Sequence, residues 1–181
     1  ARGGVQVAPG ASWSYAFDGM PNVFGTLPAQ ASYTDSVLDL LGTADHGARK
    51  TLWYMFRGNP RNFAAASRNN ISVIGQDKLP QDESWRGVLD AAMQRNPDIV
   101  MFSNQSCTRF MDHMWRMDYA PKALVLLTCP TGKEFLDSVG RAARFLIHVT
   151  AWLPSMPLSG PLTGNWTARS FAEEYHRLYG A

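Results

Sequence analysis

The sequence is poor in charge. Asp, Glu, Lys and Arg make up 18% of its 181 residues and leave a net charge of +2. No basic run extends past Arg49-Lys50, so the electrostatic footprint of a nucleic-acid binder is missing. No segment approaches ~18 uninterrupted apolar residues, so nothing reads as a membrane span. The two cysteines, Cys107 and Cys129, form no CxxC or Cys/His cluster, which supports neither a metal site nor dithiol redox chemistry. The opening Ala1-Arg2-Gly3-Gly4 is not a signal peptide. A processed or excised segment would open in the same way, so this does not assign the chain to the cytosol.

Catalytic patterns are also scarce. Pro130 to Glu134 (PTGKE) looks like the end of a phosphate loop, but it lacks the upstream glycine and the hydroxyl residue after the lysine. There is no G-x-S-x-G elbow. His46, His113, His148 and His176 are scattered, and His148 alternates with apolar neighbours as a hydrogen-bonded core or interface histidine would. Asp112 and Asp118 have no metal-type partner and read as the solvated face of a helix. Nothing assembles a nucleophile, a base and oxyanion donors. The expectation is a non-enzyme without cofactor or metal.

What is present is apolar bulk. Hydrophobic residues make up 45% of the chain, with six Trp, nine Phe and eight Met. That suffices for one well-buried core, and it also fits a face that meets a missing partner domain.

The apolar residues are arranged in short runs. Thr51–Phe56, Asp98–Ser103 and Ala123–Thr128 are each followed by a helix pattern, at Pro60–Asn69, Cys107–Tyr119 and Gly132–Arg144. Runs without polar alternation suit strands buried on both faces, and the intervening helices suit right-handed crossovers. Ile71–Ile74 and Phe145–Trp152 add two more strands. Helices are expected over Ala31–Leu41, Ser84–Arg95 and Ala168–Tyr179, each with an apolar stripe. Short strands are expected at Val5–Val7 and Val23–Thr26, and loops over Gln76–Asp82 and Pro154–Pro161. The fold class is therefore α/β, a mostly parallel open sheet with helices on both faces. Such sheets place ligands at the carboxyl ends of the strands.

Cys107 and Cys129 each stand just past a strand, and neighbouring strands lie ~4.8 Å apart. A disulfide is open to them where geometry permits, but the preferred reading is two unlinked, partly buried thiols. Sequons at Asn70, Asn104 and Asn165 are compatible with a secreted eukaryotic chain.

Five segments in order resemble the type I periplasmic-binding proteins, in the branched-chain amino-acid-binding branch. They are Val7–Ser12 (VAPGAS), Asn22–Pro28 (NVFGTLP), Asn96–Val100 (NPDIV), Met117–Ala123 (MDYAPKA) and Phe171–Gly180 (FAEEYHRLYG). The resemblance implies a two-lobed domain about twice this length. Residues 1–28 would be the hinge and a remnant of the first lobe, and residues 29–181 the second, ligand-binding lobe. It further implies a small-molecule site between the lobes. Gly10, Ala11 and Ser12 would face it from one side, and the loops holding Arg57 and Asn59, Asn104 and Gln105, and Thr128 and Cys129 from the other.

Family members specific for aliphatic amino acids often carry tyrosines in the first two loops and an acid in the third. This sequence has none of them there. The ammonium of an amino acid thus loses its usual partner, while Arg57 offers one to a carboxylate. Two outcomes stay open: a ligand other than an ordinary amino acid, or a site out of use.

The implied function is non-enzymatic binding of an amino-acid-like molecule or small carboxylate, by hinge closure, in a transport protein or receptor ectodomain outside the cytoplasm. The implied partners are the missing lobe and a membrane permease or a receptor signalling domain, and no nucleic acid. The alternative is one lobe of a doubly wound enzyme whose catalytic residues lie outside this chain.

Overall fold

A computed structural model describes residues 6–8, 23–25, 30–44, 49–56, 58–77, 85–103, 106–129, 133–143, 146–149, 154–157, 159–160 and 166–180. The chain divides into two compact units, Ala1–Val149 and Thr150–Ala181. None of the described helices is long and apolar enough to cross a membrane.

The first unit opens with β1 (Gln6–Ala8) and β2 (Val23–Gly25), a parallel pair. Helix α1 (Gln30–Thr43) leads to β3 (Lys50–Met55), α2 (Pro60–Arg68), β4 (Ile71–Gln76), α3 (Trp85–Arg95) and β5 (Ile99–Phe102). Then come α4 (Cys107–Arg116), β6 (Ala123–Leu126), α5 (Lys133–Val139), a 3-10 turn (Gly140–Ala143) and β7 (Leu146–His148). Strands β3 to β7 form one sheet in the order β4-β3-β5-β6-β7. Every pairing in it is parallel, as the strand–helix alternation predicts.

The apolar runs are buried as such runs require. All four residues of β5 are buried. Alternate side chains of the strands supply two core clusters. One joins Leu52, Tyr54, Ile99, Met101 and Val125 to Val37, Leu38 and Leu41 of α1 and to Ala65 and Ala66 of α2. The other joins Met55, Val100, Phe102, Leu124 and Leu126 to Leu89 of α3, Phe110, Met111 and Met114 of α4 and Phe135 of α5. Helices α1 and α2 therefore cover one face, and α3 to α5 the other. Burying one such large apolar side chain contributes ~1.5–3 kcal/mol. Phe102 stacks on Phe110 with ring centroids 3.9 Å apart.

Element ends differ from the expectation where local geometry intervenes. Helix α4 stops at Arg116 because Asp118 turns left-handed (φ 50°) and Tyr119 N–H donates to the Met114 carbonyl. Helix α5 stops at Val139, where Gly140 takes φ 51° and the chain tightens into the 3-10 turn. The expected strand over Phe145–Trp152 is described only as β7. On the edge strand β4 the register slips by one residue after the Leu52–Val73 pair, so that Trp53 faces Gly75. A Cβ there would lie 2.6 Å from the Trp53 ring, so glycine admits the indole.

The thiol reading is corrected. Cys107 and Cys129 form a disulfide with Cα atoms 5.7 Å apart. Strands β5 and β6 are adjacent and in register as far as Phe102 and Leu126, which brings the connections beyond them within bridging distance.

The second unit holds a short antiparallel pair, β8 (Ser159–Gly160) with β9 (Trp166–Thr167), where a plain loop was expected over Pro154–Pro161. Helix α6 (Ala168–Tyr179) follows, as its stripe predicts. Thr167 and Ser170 cap it reciprocally, and Gly180 closes it at φ 67°.

Candidate functional site

The chain order selects one place on the sheet. After β3 the chain passes by α2 to β4 on one side, then returns by α3 to β5 on the other side of β3. The connection leaving β3 runs to the face of α1 and α2, and the one leaving β5 runs to the face of α3 to α5. The strand ends part there, and open α/β sheets bind ligands in the crevice at such a switch point. Met55 and Phe102 are register partners at the ends of β3 and β5. Phe56, Gly58 and Asn59 therefore lie on one side of the crevice, and Ser103 and Ser106 on the other.

The β3–α2 side is held by a dense set of contacts. Asn59 is the N-cap of α2. Its Oδ1 accepts from Asn62 N–H at 3.0 Å, and Asn62 Oδ1 accepts from Asn59 N–H at 2.9 Å. Buried Asn62 also donates from Nδ2 to Thr34 Oγ1 at 2.6 Å, which ties the cap to α1. Gly58 N–H donates to Gln76 Oε1 at 3.1 Å, so the end of β4 supports the loop. A Cβ on Gly58 would come within 3.1 Å of the Phe63 ring and 3.4 Å of Tyr54. Tyr54 packs against Phe56 and Phe63, with ring centroids 5.0 and 5.7 Å away. It donates its hydroxyl to the Asn62 carbonyl at 3.1 Å, and burial pushes its phenol well above the usual range. Burial keeps the phenol neutral and able to donate this bond.

Beside this loop Trp53 Nε1–H donates to Asp77 Oδ2 at 2.6 Å, and Asp77 N–H donates to the Tyr54 carbonyl. The acid at the end of β4 thus already has a partner. At the far edge His148 ends β7. Its Nδ1 lies 3.0 Å from the Leu126 carbonyl, which accepts from the neutral ring, and burial lowers its pKa.

Of the expected site residues, Asn59, Thr128 and Cys129 are described. All three follow strands whose carboxyl ends share one edge of the sheet. The Asn59 side-chain oxygen serves the cap. Thr128 is exposed. The Cys129 sulfur is committed to the disulfide and only 4% of the residue is exposed, so its role there is structural and any ligand contact would come from its backbone. Arg57, Asn104 and Gln105 lie outside the described residues, between Phe56 and Gly58 and between Ser103 and Ser106. Ser12, Gly10 and Ala11 also lie outside them. Sequence reasoning missed Gln76 and Asp77. Gln76, expected at the start of a loop, instead ends β4, and Asp77 follows it at the same edge.

A groove of about 390 Å³ lies elsewhere, between α4 and the α5 region. Trp115, Asp112, Ser138 and Arg141 are among its lining residues. No strand-end loop contributes to its lining among the described residues. No group of three or more metal-type ligands occurs among the described residues.

No protein-family model matches the chain, and no curated protein sequence matches it. Solved structures do match. A leucine-binding protein from Thermotoga maritima superposes with TM-score 0.74 at 14% identity, covering 98% of this chain and 51% of the other. A branched-chain amino acid transporter component from Thermus thermophilus with bound valine gives 0.72 at 12%, covering 98% and 47%. An extracellular ligand-binding receptor from Rhodopseudomonas palustris gives 0.66 at 16%, covering 88% and 46%. The chain spans about half the length of these structures. At such identity the likeness shows the fold: a type I periplasmic-binding fold, of which this parallel sheet with its helices is one lobe.

Proposed function

We propose that this chain is the ligand-binding lobe of a non-enzymatic small-molecule-binding domain, working outside the cytoplasm in solute transport or as part of a receptor. The observation behind this reading is the switch point between β3 and β5, with Gly58 and Asn59 following one strand and Ser103 and Ser106 the other. In this reading residues 29–181 are the ligand-binding lobe, and residues 1–28, which include Ser12, are the hinge and a remnant of the other lobe. A ligand held between two lobes favours the closed arrangement by its extra contacts there.

The ligand proposed is a small carboxylate or amino-acid-like molecule. One solved neighbour is named for leucine and another holds valine. The third loop here offers Thr128 and Cys129 and no acid, so the ligand carboxylate, met by Arg57, is the main charge contact. The buried disulfide suits an oxidising compartment, which agrees with periplasmic or extracellular work. Partners of the working protein are the other lobe and a permease or signalling domain.

Isothermal titration calorimetry tests the reading. The full two-lobed protein is titrated with L-leucine, L-valine and their 2-oxo acid analogues. Saturable binding of at least one is expected. Heat at the level of dilution for all four would overturn the ligand class.

A further inference from the structure

We propose that the Cys107–Cys129 disulfide is a positioning element of the crevice. It holds the β5–α4 side, as the capping box holds the β3–α2 side. This rests on reading that crevice as the ligand site.

The two sides are built differently. The β3–α2 loop has the reciprocal Asn59–Asn62 cap and the Gly58–Gln76 bond. The β5–α4 loop enters its helix at Ser106, which makes no side-chain cap hydrogen bond. The first residue of that helix is Cys107, bonded to Cys129 beyond the end of β6. A covalent tie thus stands where the opposite side has a polar cap. The loop that holds Asn104 and Gln105 ends at this tie, and Thr128 adjoins its other end.

The location argues for a local effect. Strands β5 and β6 are already paired at four positions, from Ile99–Ala123 to Phe102–Leu126, so the bridge adds nothing to their register. It lies just beyond the last pair, where pairing stops and the loops begin. Both cysteines are buried in the cluster of Phe102, Phe110, Met111 and Phe135. A small apolar pair of similar volume can occupy that space, because an unlinked buried cysteine packs as a small hydrophobe. Removing the bond should release the loops and leave the sheet.

Hydrogen–deuterium exchange read by mass spectrometry on the full chain tests this, comparing the wild type with Cys107→Ala/Cys129→Val. Peptides over 103–109 and 127–132 are expected to exchange at least ~10-fold faster, and those over 50–56 and 71–77 to be unchanged, as for local opening below global unfolding. An even rise over the sheet, or loss of the far-UV circular dichroism of the fold, would make the bridge a global staple and overturn the proposal. Unchanged exchange everywhere would overturn it as well. The measurement needs no ligand, so its failure is separate from a failure of the calorimetric titration.

Discussion

Asp98 and Thr51 bind each other reciprocally at the amino edge of the sheet. The carboxylate of Asp98 accepts from both the backbone N–H and the hydroxyl of Thr51 at 2.8 Å, and Asp98 N–H donates to that hydroxyl oxygen at 3.0 Å. Lys122 adds an ion pair at 2.7 Å. One side chain at the start of β5 therefore ties down the starts of β3 and β6.

This arrangement predicts an acid-sensitive stability term. The hydrogen-bonded Lys122 ammonium, ahead of the Thr51 contacts and against a burial penalty, lowers the Asp98 carboxyl from 3.8 to about 2. A depressed folded-state value gives stability that is present above the unfolded value and lost as pH falls through the folded one. With Lys122 largely exposed, screening limits the contribution to about 1–2 kcal/mol. Asp98→Asn should lose that amount at neutral pH and flatten the fall in stability between pH 4 and pH 2. Urea denaturation across that range measures it. A wild-type slope in the variant would contradict the assignment.

Asn59 offers a test that separates folding from binding. Loss of its cap in Asn59→Ala should cost ~0.5–2 kcal/mol, while Asn59→Asp, which keeps the accepting oxygen, should retain most of the stability. A binding role for the amide nitrogen would appear as weaker ligand affinity in both variants. Equal affinity in Asn59→Asp and wild type would make the residue a cap and nothing more.

Arg57 is the basic residue of the loops that follow β3, β5 and β6 ahead of Lys133. A charge-assisted hydrogen bond contributes ~1.5–3 kcal/mol, so Arg57→Ala should weaken binding of a small carboxylate roughly ten- to a hundredfold. Titration of the two-lobed protein reads the change. Unaltered affinity would return Arg57 to the solvated loop residues.

Helix α6 bears a ladder of Phe171, Tyr175 and Tyr179, with Leu178 beside it and Trp166 just before. These side chains are 43–69% exposed, and of the helix only Ala168 is buried. An uncovered apolar stripe of this kind favours association. The 181-residue chain should therefore sediment in a concentration-dependent manner, and Phe171→Ser/Tyr175→Ser should shift it towards monomer. A wild-type chain that stays monomeric at high concentration would contradict this.

The apolar runs Leu52–Met55, Ile99–Phe102 and Leu124–Leu126 determined the fold class by themselves. A strand buried on both faces needs unbroken hydrophobicity, and that is a local property any reader of the sequence sees. The parallel order followed, because helices of ten or so residues between strands permit little else. Element ends were less legible: Asp118 and Gly140 are residue types that accept left-handed conformations, but which such residue ends a helix depends on the chain that follows it. The bond between Cys107 and Cys129 could not be read from their spacing, since it depends on the register of Phe102 with Leu126, a relation between segments far apart in the chain. The same holds for the supports of Gly58 and Asn59. Gln76 reaches Gly58, and Thr34 reaches Asn62 of the cap, only after β4 lies against β3 and α1 against α2. The sequence alone marked which loops face one edge. The tertiary structure decided how each is held there, because hydrogen bonds and disulfides form between neighbours in space.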